Sequence, residues 1–450
     1  MRLASWGNYP VIETVMRRPA MESEAVDFLD SAASAIGHGL GRSYGDSALN
    51  TDLTLDTGRL NAMLSFNEDS GELAAEAGVS LAEIINTFGP RGWFPAVTPG
   101  TKFVTLGGAI ASDVHGKNHH QASSFAAQVS WIDVLTSSRG VVRCSADEHP
   151  DLFHATCGGH GLTGLILRVA VKLRKIPSAY IAQTMIKARD ISHIMEVFNE
   201  QYHMPFSVAW IDCLKSGPGL GRSIFMGGDF ATLDDLGAQR NKPFRVRGNL
   251  PLAVPFNFPS FALNSFSIKA FNALYYAKAP QNGRRSIISY NTFFYPLDAI
   301  HDWNRIYGKR GFTQYQFVIP LESAAKGLPA ILKKIAGMGM GSFLAVLKLF
   351  GDQPSWPGNI SFPDKGYTLA LDFPISPRLF GLLDELDAMV LDYGGRHYLT
   401  KDCRLSAPVF KKSYGAALDE FMDVKSRWDP SGRFRSRQSD RLGLTGPQAE

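Results

Sequence analysis

Three glycine-rich segments in the amino-terminal part limit most strongly what this chain can fold into. The first, 36–46, holds four glycines within nine residues, and the others span 98–117 and 157–164. Glycine tolerates positive φ and lets the backbone come close to a ligand, so consecutive N–H groups can point at a phosphate. Three such segments predict an amide-lined groove for one extended ligand.

The first segment differs from the dinucleotide fingerprint of Rossmann folds. That fingerprint reads G-x-G-x-x-G, whereas here Gly37-x-Gly39 is followed at the third position by Arg42, with Gly41 one place early. A Rossmann domain is therefore not predicted. Glycine-rich turns between strands are also common without a ligand, so this segment alone leaves phosphate binding open.

The composition indicates a globular protein of about two domains, because 450 residues exceed one typical core. Lys and Arg number 46 against 42 Asp and Glu, a balance that argues against nucleic-acid binding through a basic face. The four cysteines are widely spaced and form no C-x-x-C pair, so neither a zinc site nor a disulfide framework is favoured. A reducing cytoplasm fits this pattern best.

No stretch of the sequence predicts a secretory signal or a membrane span. Residues 1–20 lack an apolar run followed by a small-residue cleavage site. The longest uncharged stretch, 248–268, is interrupted by Pro251, Pro255 and Pro259. Proline removes a helix hydrogen bond and clashes with the preceding turn, so this stretch is a poor membrane helix.

Hydrophobic periodicity predicts a mixture of helices and strands. Ser80-Leu81-Ala82-Glu83 is a capping box that opens a helix, which Gly89-Pro90 closes. The region 215–279 is rich in Gly, Pro and aromatic residues without a clear period, which predicts a long loop of functional or mobile character. The other predicted elements are a hairpin of 129–135 and 141–144, strands at 165–173, 313–319, 343–350 and 367–373, and helices at 191–201 and 376–393.

Several motifs carry a resemblance to a known family. Gly-Leu-Gly-Arg-Ser-Tyr-Gly-Asp at 39–46, Pro-Gly-Thr at 99–101, Val-Thr-Leu-Gly-Gly-Ala-Ile-Ala at 104–111 and His-Gly-Lys-Asn-His-His at 115–120 resemble the PCMH-type FAD domain of the vanillyl-alcohol-oxidase class. Further matches extend the resemblance over nearly the whole chain, toward the decaprenylphosphoryl-β-D-ribose 2′-oxidase family. These matches are at 161–164, 209–212, 293–298, 314–320, 347–351, 372–375 and 400–402.

The resemblance implies a two-domain α+β fold of the PCMH type. Residues 1–178 would form the FAD-binding domain, and 179–395 a substrate-binding cap built on a mostly antiparallel sheet. The carboxyl-terminal segment 396–450 would return to the FAD domain.

The resemblance also implies an FAD-dependent oxidoreductase acting on a CH–OH group. It would oxidise the 2′-hydroxyl of a polyprenylphosphoryl-β-D-ribose to the 2′-keto sugar, the first half of an epimerisation that makes an arabinose donor for cell-wall arabinan. An NAD(P)H-dependent short-chain reductase would complete the epimerisation as a partner. Two alternatives stay open, a flavin-dependent oxidase of soluble alditols or sugar lactones, and a flavin- or metal-binding protein without turnover.

The cofactor contacts follow from matching the motifs residue by residue. FAD carries a diphosphate, a flavin ring and an adenosine, which suits amide-lined turns at several points of a groove. Some members of the class attach FAD through a histidine, but Arg42 stands at that position, so noncovalent FAD is predicted, with His38 as the alternative attachment point. The implied contacts are Gly39, Leu40, Gly41, Arg42, Ser43, Tyr44, Gly100, Thr101, Gly107, Ala111, Ser112, His115, Gly116, Asn118, Ile166 and Tyr398.

The resemblance places Lys401 beside the flavin and the substrate hydroxyl, with Tyr398 nearby and His115 on the opposite wall as further catalytic residues. Oxidation of an alcohol needs a base or a cation near the hydroxyl proton, and a lysine in an apolar pocket can have a lowered pKa. Without the resemblance, its neighbours favour a surface residue paired with Asp402, although the strand character of 398–400 leaves this ambiguous. The implied substrate contacts are Trp210, Gln316, Lys348, Phe350, Thr368 and Lys401.

Two features bear on metals and on the substrate. His115, His119 and His120 have spacings found in metal sites, but no Glu stands where a metalloprotease needs one, so no metal is predicted. Ala370 occupies the position of a pocket cysteine in the mycobacterial enzymes, and Thr368 that of an asparagine. These departures leave the exact sugar open.

The apolar stretch 248–268 has two interpretations. Beside Arg245 and Arg247, its Phe and Leu side chains could contact a lipid surface from which a polyprenyl substrate is taken. It could equally be a buried cover over the sheet. The predicted location is the cytoplasm, at the inner membrane surface if the first interpretation holds, with a periplasmic site left open.

Overall fold

Two large antiparallel sheets and one small parallel sheet form most of the fold in a computed structural model. The structure describes residues 1–246, 252–259, 264–280, 283–342, 344–354 and 356–445. The strands are β1 Arg2–Leu3, β2 Ile12–Glu13, β3 Val15–Arg17, β4 Ala35–His38, β5 Leu53–Asp56, β6 Met63–Asn67, β7 Glu72–Glu76, β8 Trp93–Pro95, β9 Val129–Thr136, β10 Gly140–Ser145, β11 Leu165–Lys175, β12 Tyr180–Ala188, β13 Phe206–Ile211, β14 Ser223–Phe230, β15 Leu252–Ala253, β16 Arg284–Ser289, β17 Ile300–His301, β18 Phe312–Pro320, β19 Ala345–Phe350, β20 Gly366–Pro374 and β21 Arg396–His397. The α-helices are α1 Glu22–Asp30, α2 Leu81–Phe88, α3 Leu106–Ala111, α4 His119–Ala122, α5 Pro150–Thr156, α6 Ile191–Glu200, α7 Ser265–Lys278, α8 Tyr290–Phe294, α9 Leu321–Met338, α10 Leu379–Asp392, α11 Ala407–Tyr414, α12 Ala416–Trp428 and α13 Arg437–Leu442.

The amino-terminal part contains two of these sheets. Strands β3, β5 and β4 pair in parallel. A larger antiparallel sheet has the order β10-β9-β11-β7-β6, with β8 added to β11. The long strand β11 is buried along most of its length, since β-branched and leucine side chains occupy both of its faces. Helices α2, α3 and α5 pack their apolar residues against this sheet in one continuous core.

An antiparallel sheet of eight strands dominates the middle of the chain, in the order β16-β12-β14-β13-β19-β20-β18-β21. The amphipathic helices α6, α9 and α10 cover one face, where Ile194, Leu328 and Leu382 are fully or almost fully buried. The other face is turned toward the amino-terminal part. Helices on one side of an antiparallel sheet are typical of an α+β protein, so the predicted fold class is confirmed.

The carboxyl-terminal helices pack against the amino-terminal part. Phe434 forms a β-bridge with Ala35, and Phe421 and Trp428 of α12 lie in the same core as β11. The Lys425 ammonium is buried, where it donates to the Asp429 carboxylate at 2.7 Å and to the carbonyls of Leu162 and Phe434. The contact between the carboxyl-terminal helices and the amino-terminal part therefore contains a buried ion pair.

Most locally encoded elements agree with the sequence predictions. The capping box of α2 is present, with the Ser80 hydroxyl accepting from the Glu83 amide and the Glu83 carboxylate accepting from the Ser80 amide. The hairpin of β9 and β10 and the strands β11, β18 and β20 are confirmed. Helix α10 begins only at Leu379, because residues 376–378 form a turn first.

The prediction of a long loop over 215–279 is wrong for its described residues. Strand β14 lies in the middle of the large sheet, and α7 is a helix of 14 residues. Gly227 and Gly228 interrupt the apolar pattern of β14, and apolar side chains occur on all sides of α7, so neither element has a clear hydrophobic period. The proposed lipid-contact stretch 248–268 falls in part on 248–251 and 260–263, which lie outside the described residues.

Among the described residues, no helix combines the length and the apolarity that a bilayer crossing requires.

We expect Asp429→Ala to lower the free energy of unfolding by about 3–5 kcal/mol, because it leaves the Lys425 ammonium buried without its counterion. The measurement is urea unfolding followed by tryptophan fluorescence. Asp423→Ala is the control, since Asp423 pairs with Arg427 at the surface and its loss should cost about 0–1 kcal/mol. Equal effects of the two substitutions would contradict the buried-pair assignment.

Candidate active site

A cavity of about 700 Å³ lies between the amino-terminal part and the uncovered face of the large sheet. Its walls on one side are the glycine-rich segments around 37–48 and 98–117, together with the start of β11. Side chains of β13, β18, β19 and β20 and the turn 398–401 form the other side. The volume is typical of cofactor and substrate sites.

The first glycine-rich loop comes unusually close to its neighbours. A Cβ on Gly39 would lie 2.3 Å from the Thr105 hydroxyl oxygen, and one on Gly45 would lie 1.7 Å from the carbonyl oxygen of Asp402. No side chain larger than hydrogen fits at either position. The loop therefore packs both against the second glycine-rich segment and against the turn that contains Lys401.

Arg42 projects from this loop along the cavity wall. Its guanidinium lies 4.0 Å from the centre of the Trp6 ring, a cation–π contact. Within the described chain its buried Nε has no hydrogen-bond partner. A buried N–H group without an acceptor costs free energy, so this atom is suited to an oxygen of a bound molecule.

The second glycine-rich segment begins the short helix α3 at the cavity wall. The Thr105 hydroxyl caps this helix by accepting from the Gly108 amide at 3.1 Å. Gly107, Ala111 and Ser112 then line the cavity with backbone and small side chains. The segment provides a close, flat backbone surface for a ligand.

Lys401 lies in the turn after β21, and its half-buried side chain lines the cavity. Its ammonium nitrogen is 3.9 Å from the centre of the Tyr44 ring. Burial lowers the pKa of Lys401 to about 7, although the buried Asp372 carboxylate opposes the shift and the Lys348 charge adds to it. Burial likewise raises the pKa of Asp372 to about 7. The amine can therefore change protonation state near neutral pH.

His115 is held between two polar side chains of the large sheet. Its Nε2 lies 3.0 Å from the Gln316 amide nitrogen, and its Nδ1 lies 3.3 Å from the Lys348 ammonium nitrogen. Gln316 also donates to the Thr368 hydroxyl at 3.1 Å. Burial and the neighbouring charge of Lys348 hold the pKa of His115 well below its usual range. The ring is thus neutral and fixed in one orientation.

Two more lysines give the cavity a cationic character. Burial lowers the pKa of Lys117 to about 7 and that of Lys348 to about 8. Lys117 donates to the Phe293 carbonyl and lies 4.3 Å from the centre of the Phe293 ring. Several desolvated amines in one cavity are suited to an anionic group, which would supply them with a counterion.

The structure brings most of the predicted site residues together. The ones that line the cavity are Gly39, Leu40, Gly41, Arg42, Ser43, Tyr44, Gly100, Thr101, Gly107, Ala111, Ser112, His115, Gly116, Ile166, Trp210, Gln316, Lys348, Thr368, Tyr398 and Lys401. Asn118 lies behind the wall, where its side-chain amide donates to the Ala96 carbonyl at 2.9 Å. Phe350 is also behind the wall and packs its ring against His115 at 4.7 Å.

Tyr398 lines the cavity with its ring rather than with a free hydroxyl. The hydroxyl donates to the Ser112 carbonyl at 2.8 Å, and the ring stacks on Phe362 at 4.6 Å. Burial raises the pKa of Tyr398 above its usual value. Its catalytic role stays a prediction, and the contacts show a side chain that supports the wall.

Sequence reasoning missed several residues of the cavity. Lys117 lies between the predicted Gly116 and Asn118, and its place in the motif at 115–120 is the sequence signal that could have identified it. Trp6, Phe271 and Tyr275 line the cavity from segments without any motif. They could be found only from the folded structure.

The neighbouring histidines have separate partners. His119 Nε2 lies 3.0 Å from the Gln353 side-chain oxygen, and His120 Nε2 lies 2.9 Å from the Met204 carbonyl oxygen. In the part of the chain that the structure describes, no three His, Cys, Asp or Glu side chains are grouped as metal ligands.

Comparison with known proteins supports a flavin site. A family model described as an FAD binding domain matches residues 18–145. The chain is similar to the decaprenylphosphoryl-beta-D-ribose oxidase of Mycolicibacterium smegmatis, with 36% identity over 98% of this chain and 97% of the relative. It is 31% identical to an uncharacterized protein in the mprA 5′ region of Streptomyces coelicolor, over 81% of this chain and 99% of that protein. A bovine L-gulonolactone oxidase is 27% identical over 32% of each chain.

FAD is the cofactor, and the residues of the cavity fit it. The matched region contains the loop 39–46 and the segment 98–117, which border the cavity with close backbone approaches and the unpartnered Arg42 Nε. Such a wall offers N–H donors to a diphosphate. The aromatic rings of Tyr44 and Tyr398 offer flat surfaces to a ring system.

We expect Gly39→Ala to weaken FAD binding about tenfold or more, because the new Cβ would displace Thr105 and its helix cap, and overpacking of this kind costs about 1–3 kcal/mol. The measurement is titration of the apoprotein with FAD by flavin fluorescence. Gly381→Ala on α10 is the control, since no heavy atom lies within 4 Å of its added Cβ. Undiminished FAD affinity in Gly39→Ala would contradict the proposed role of this contact.

Proposed function

Because the chain belongs to the decaprenylphosphoryl-β-D-ribose oxidase family of FAD-binding oxidoreductases, we propose that it oxidises the 2′-hydroxyl of a polyprenylphosphoryl-β-D-ribose to the 2′-keto sugar. The observation that carries the proposal is the set of three desolvated lysines, Lys117, Lys348 and Lys401, in the flavin cavity. A phosphodiester is an anion that such amines would bind. A neutral alditol or lactone would supply no counterion to them.

FAD, when bound, supplies the acceptor for the hydride that leaves the carbinol carbon. The chain itself must handle the hydroxyl proton, and Lys401 is the residue suited to this task. With a pKa of about 7, its neutral amine can accept the proton from the hydroxyl oxygen at neutral pH. The resulting ammonium lies next to the Tyr44 ring and near Asp372, which stabilise its charge.

His115 orients the substrate from the other wall. Its two ring nitrogens contact Gln316 and Lys348, so a ribose hydroxyl would bind the ring by replacing one of these contacts while the other holds the ring in place. Thr368 holds the Gln316 amide in place. Phe350 packs behind the ring and prevents it from turning away. Fixed side chains of this kind lower the entropy cost of reaching the reactive geometry.

The substrate pocket has a small side chain where relatives have a larger one. Ala370 lines the cavity and is the register partner of Gln316 on the neighbouring strand. The loss of a cysteine there leaves the proton-handling residues unchanged and widens the pocket. The ribose donor and its prenyl chain length therefore remain part of the proposal.

We also propose the division of the chain into an FAD domain of 1–178 and 396–450 and a cap of 179–395. The apolar clusters support it, since one core joins residues of β7, β9 and β11 to those of α12, while a separate core lies under the large sheet. FAD is proposed to be noncovalent, with Arg42 at the position of the attachment histidine. The contacts proposed for it are those implied by the motifs, with Asn118 acting from behind the wall.

The keto sugar has to be reduced by a second enzyme to complete an epimerisation. The oxidation removes two electrons and two protons from the sugar, so the return step needs a hydride donor. An NAD(P)H-dependent short-chain reductase is the class of partner that supplies one. The compartment in which the two enzymes would meet stays a prediction.

We expect Lys401→Ala to retain FAD. The rate at which substrate reduces the flavin should fall about 100-fold or more, because the proton acceptor is removed. In the unmodified protein, the reduction rate should rise with pH and level off above about 7, since protonation of the amine at lower pH removes the base. The measurement is anaerobic stopped-flow absorbance at several pH values. Lys309→Ala, at an exposed position, is the control. An unchanged rate in Lys401→Ala would remove this residue from the mechanism.

We expect a prenylphosphoryl ribose to bleach the flavin under anaerobic conditions, whereas xylitol and gulonolactone do not. The phosphate should anchor the sugar on Lys117 and Lys348, which neutral sugars cannot use. Bleaching by the neutral sugars alone would favour the soluble-sugar oxidase. Absence of bleaching by every alcohol would indicate a flavin-binding protein without this turnover.

A further inference from the structure

The net positive charge of this chain comes from one segment that lacks acidic residues. From 236 to 297 the sequence contains eight Lys and Arg residues and no Asp or Glu, whereas the whole chain has a net charge of only +4. The remaining residues together are therefore net negative. The segment includes helix α7 and strand β16, the edge strand of the large sheet.

Helix α7 exposes an unusual amount of apolar surface. Only Ile268 and Asn272 are buried in this helix of 14 residues. Phe266 is 82% exposed and Leu274 is 64% exposed. At 3.6 residues per turn, these two side chains lie on the face opposite Asn272. Large apolar side chains grouped on one outward face indicate an interaction surface.

The exposed face belongs to a helix that is firmly anchored. The Asn272 amide donates to the Asp212 carboxylate at 2.8 Å, and Arg222 pairs with the same carboxylate at 2.8 Å. The Tyr276 hydroxyl donates to the Ala188 carbonyl at 3.2 Å. The anchor therefore holds Phe266 and Leu274 outward.

Basic side chains flank this apolar face. Lys269 and Lys278 are exposed, and the helical spacing places them on its two sides. Arg284 is exposed at the start of β16, and its neighbour Arg285 pairs with Asp235, the last acidic residue before the basic segment. Apolar side chains between lysines are typical of helices that lie in the interface of an anionic bilayer.

The same helix borders the active-site cavity. Phe271 and Tyr275 line the cavity, and the Tyr275 ring packs against Trp210 at 4.9 Å. One helix thus has a side facing the cavity and a side facing outward. A prenyl chain that leaves the cavity along α7 would reach the exposed apolar face directly.

We propose that the outer face of α7, with Arg284, docks the protein on an anionic phospholipid bilayer. Phe266 and Leu274 insert at the boundary between headgroups and acyl chains, while Lys269 and Lys278 contact lipid phosphates. The inference rests on the proposed function for the identity of the cavity's occupant, a lipid-linked sugar. It assigns the membrane contact to α7, which shares only residues 265–268 with the apolar stretch 248–268.

The test is co-sedimentation of the FAD-loaded full-length protein with vesicles of phosphatidylcholine, with and without phosphatidylglycerol. We expect binding only to the anionic vesicles. The double variants Phe266→Ser with Leu274→Ser and Lys269→Glu with Lys278→Glu should each weaken binding about tenfold or more. The matched controls are Leu64→Ser, which removes an exposed leucine of β6, and Lys411→Glu with Lys412→Glu on α11. The controls should bind as the unmodified protein does.

Equal FAD content and melting temperature establish that the variants are folded. Absence of binding to anionic vesicles, or binding that survives both double variants, would overturn the proposal. So would self-association by light scattering that Phe266→Ser with Leu274→Ser abolishes, because a second copy would then cover this face. A soluble ribose phosphodiester with one isoprene unit separates this proposal from the proposed function. If it fails to reduce the flavin while vesicles still bind, the proposed function fails and the docking surface stands.

Discussion

One partly buried ion cluster links the two walls of the cavity. Arg441 of α13 donates to the Asp46 carboxylate at 2.7 Å and to the Asp402 carboxylate at 2.9 Å. Asp46 ends the first glycine-rich loop, and Asp402 follows Lys401 directly. Loss of Arg441 would leave the buried Asp46 carboxylate without its counterion, so the cluster stabilises the contact between the two walls. The contact between Gly45 and the Asp402 carbonyl, too close for any Cβ, depends on the same alignment.

This alignment also encloses the lysines of the cavity. An amine on the protein surface keeps its charge, whereas the cavity removes water from Lys117, Lys348 and Lys401 and lowers the pKa of each. The carboxylate that opposes the pKa shift of Lys401 is Asp372, which is itself buried with a raised pKa. The cavity therefore favours a negatively charged group that the protein itself does not supply. A phosphorylated substrate would supply this charge.

The predictions that succeeded rest on short-range patterns. The capping box at Ser80, the hairpin of β9 and β10 and the strand β11 depend on neighbours within a few residues, and the structure has all of them. Helix α7 escaped prediction because it buries only Ile268 and Asn272, so it has no apolar period. Its polar anchor pairs residues 60 positions apart, a contact that no local pattern contains.

By itself, the sequence determined the fold class, the flavin family and the identity of most side chains around the cavity, because motif spacing and hydrophobic periodicity are local properties. It did not distinguish a surface Lys401 from a buried one, and both interpretations were open from its neighbours. Only the tertiary structure decided this, since burial and the approach of Tyr44 and Lys348 arise from segments distant in the chain. It likewise placed Asn118 and Phe350 behind the wall. The chemistry of a side chain depends on its solvation and on its neighbours in space, and folding sets both.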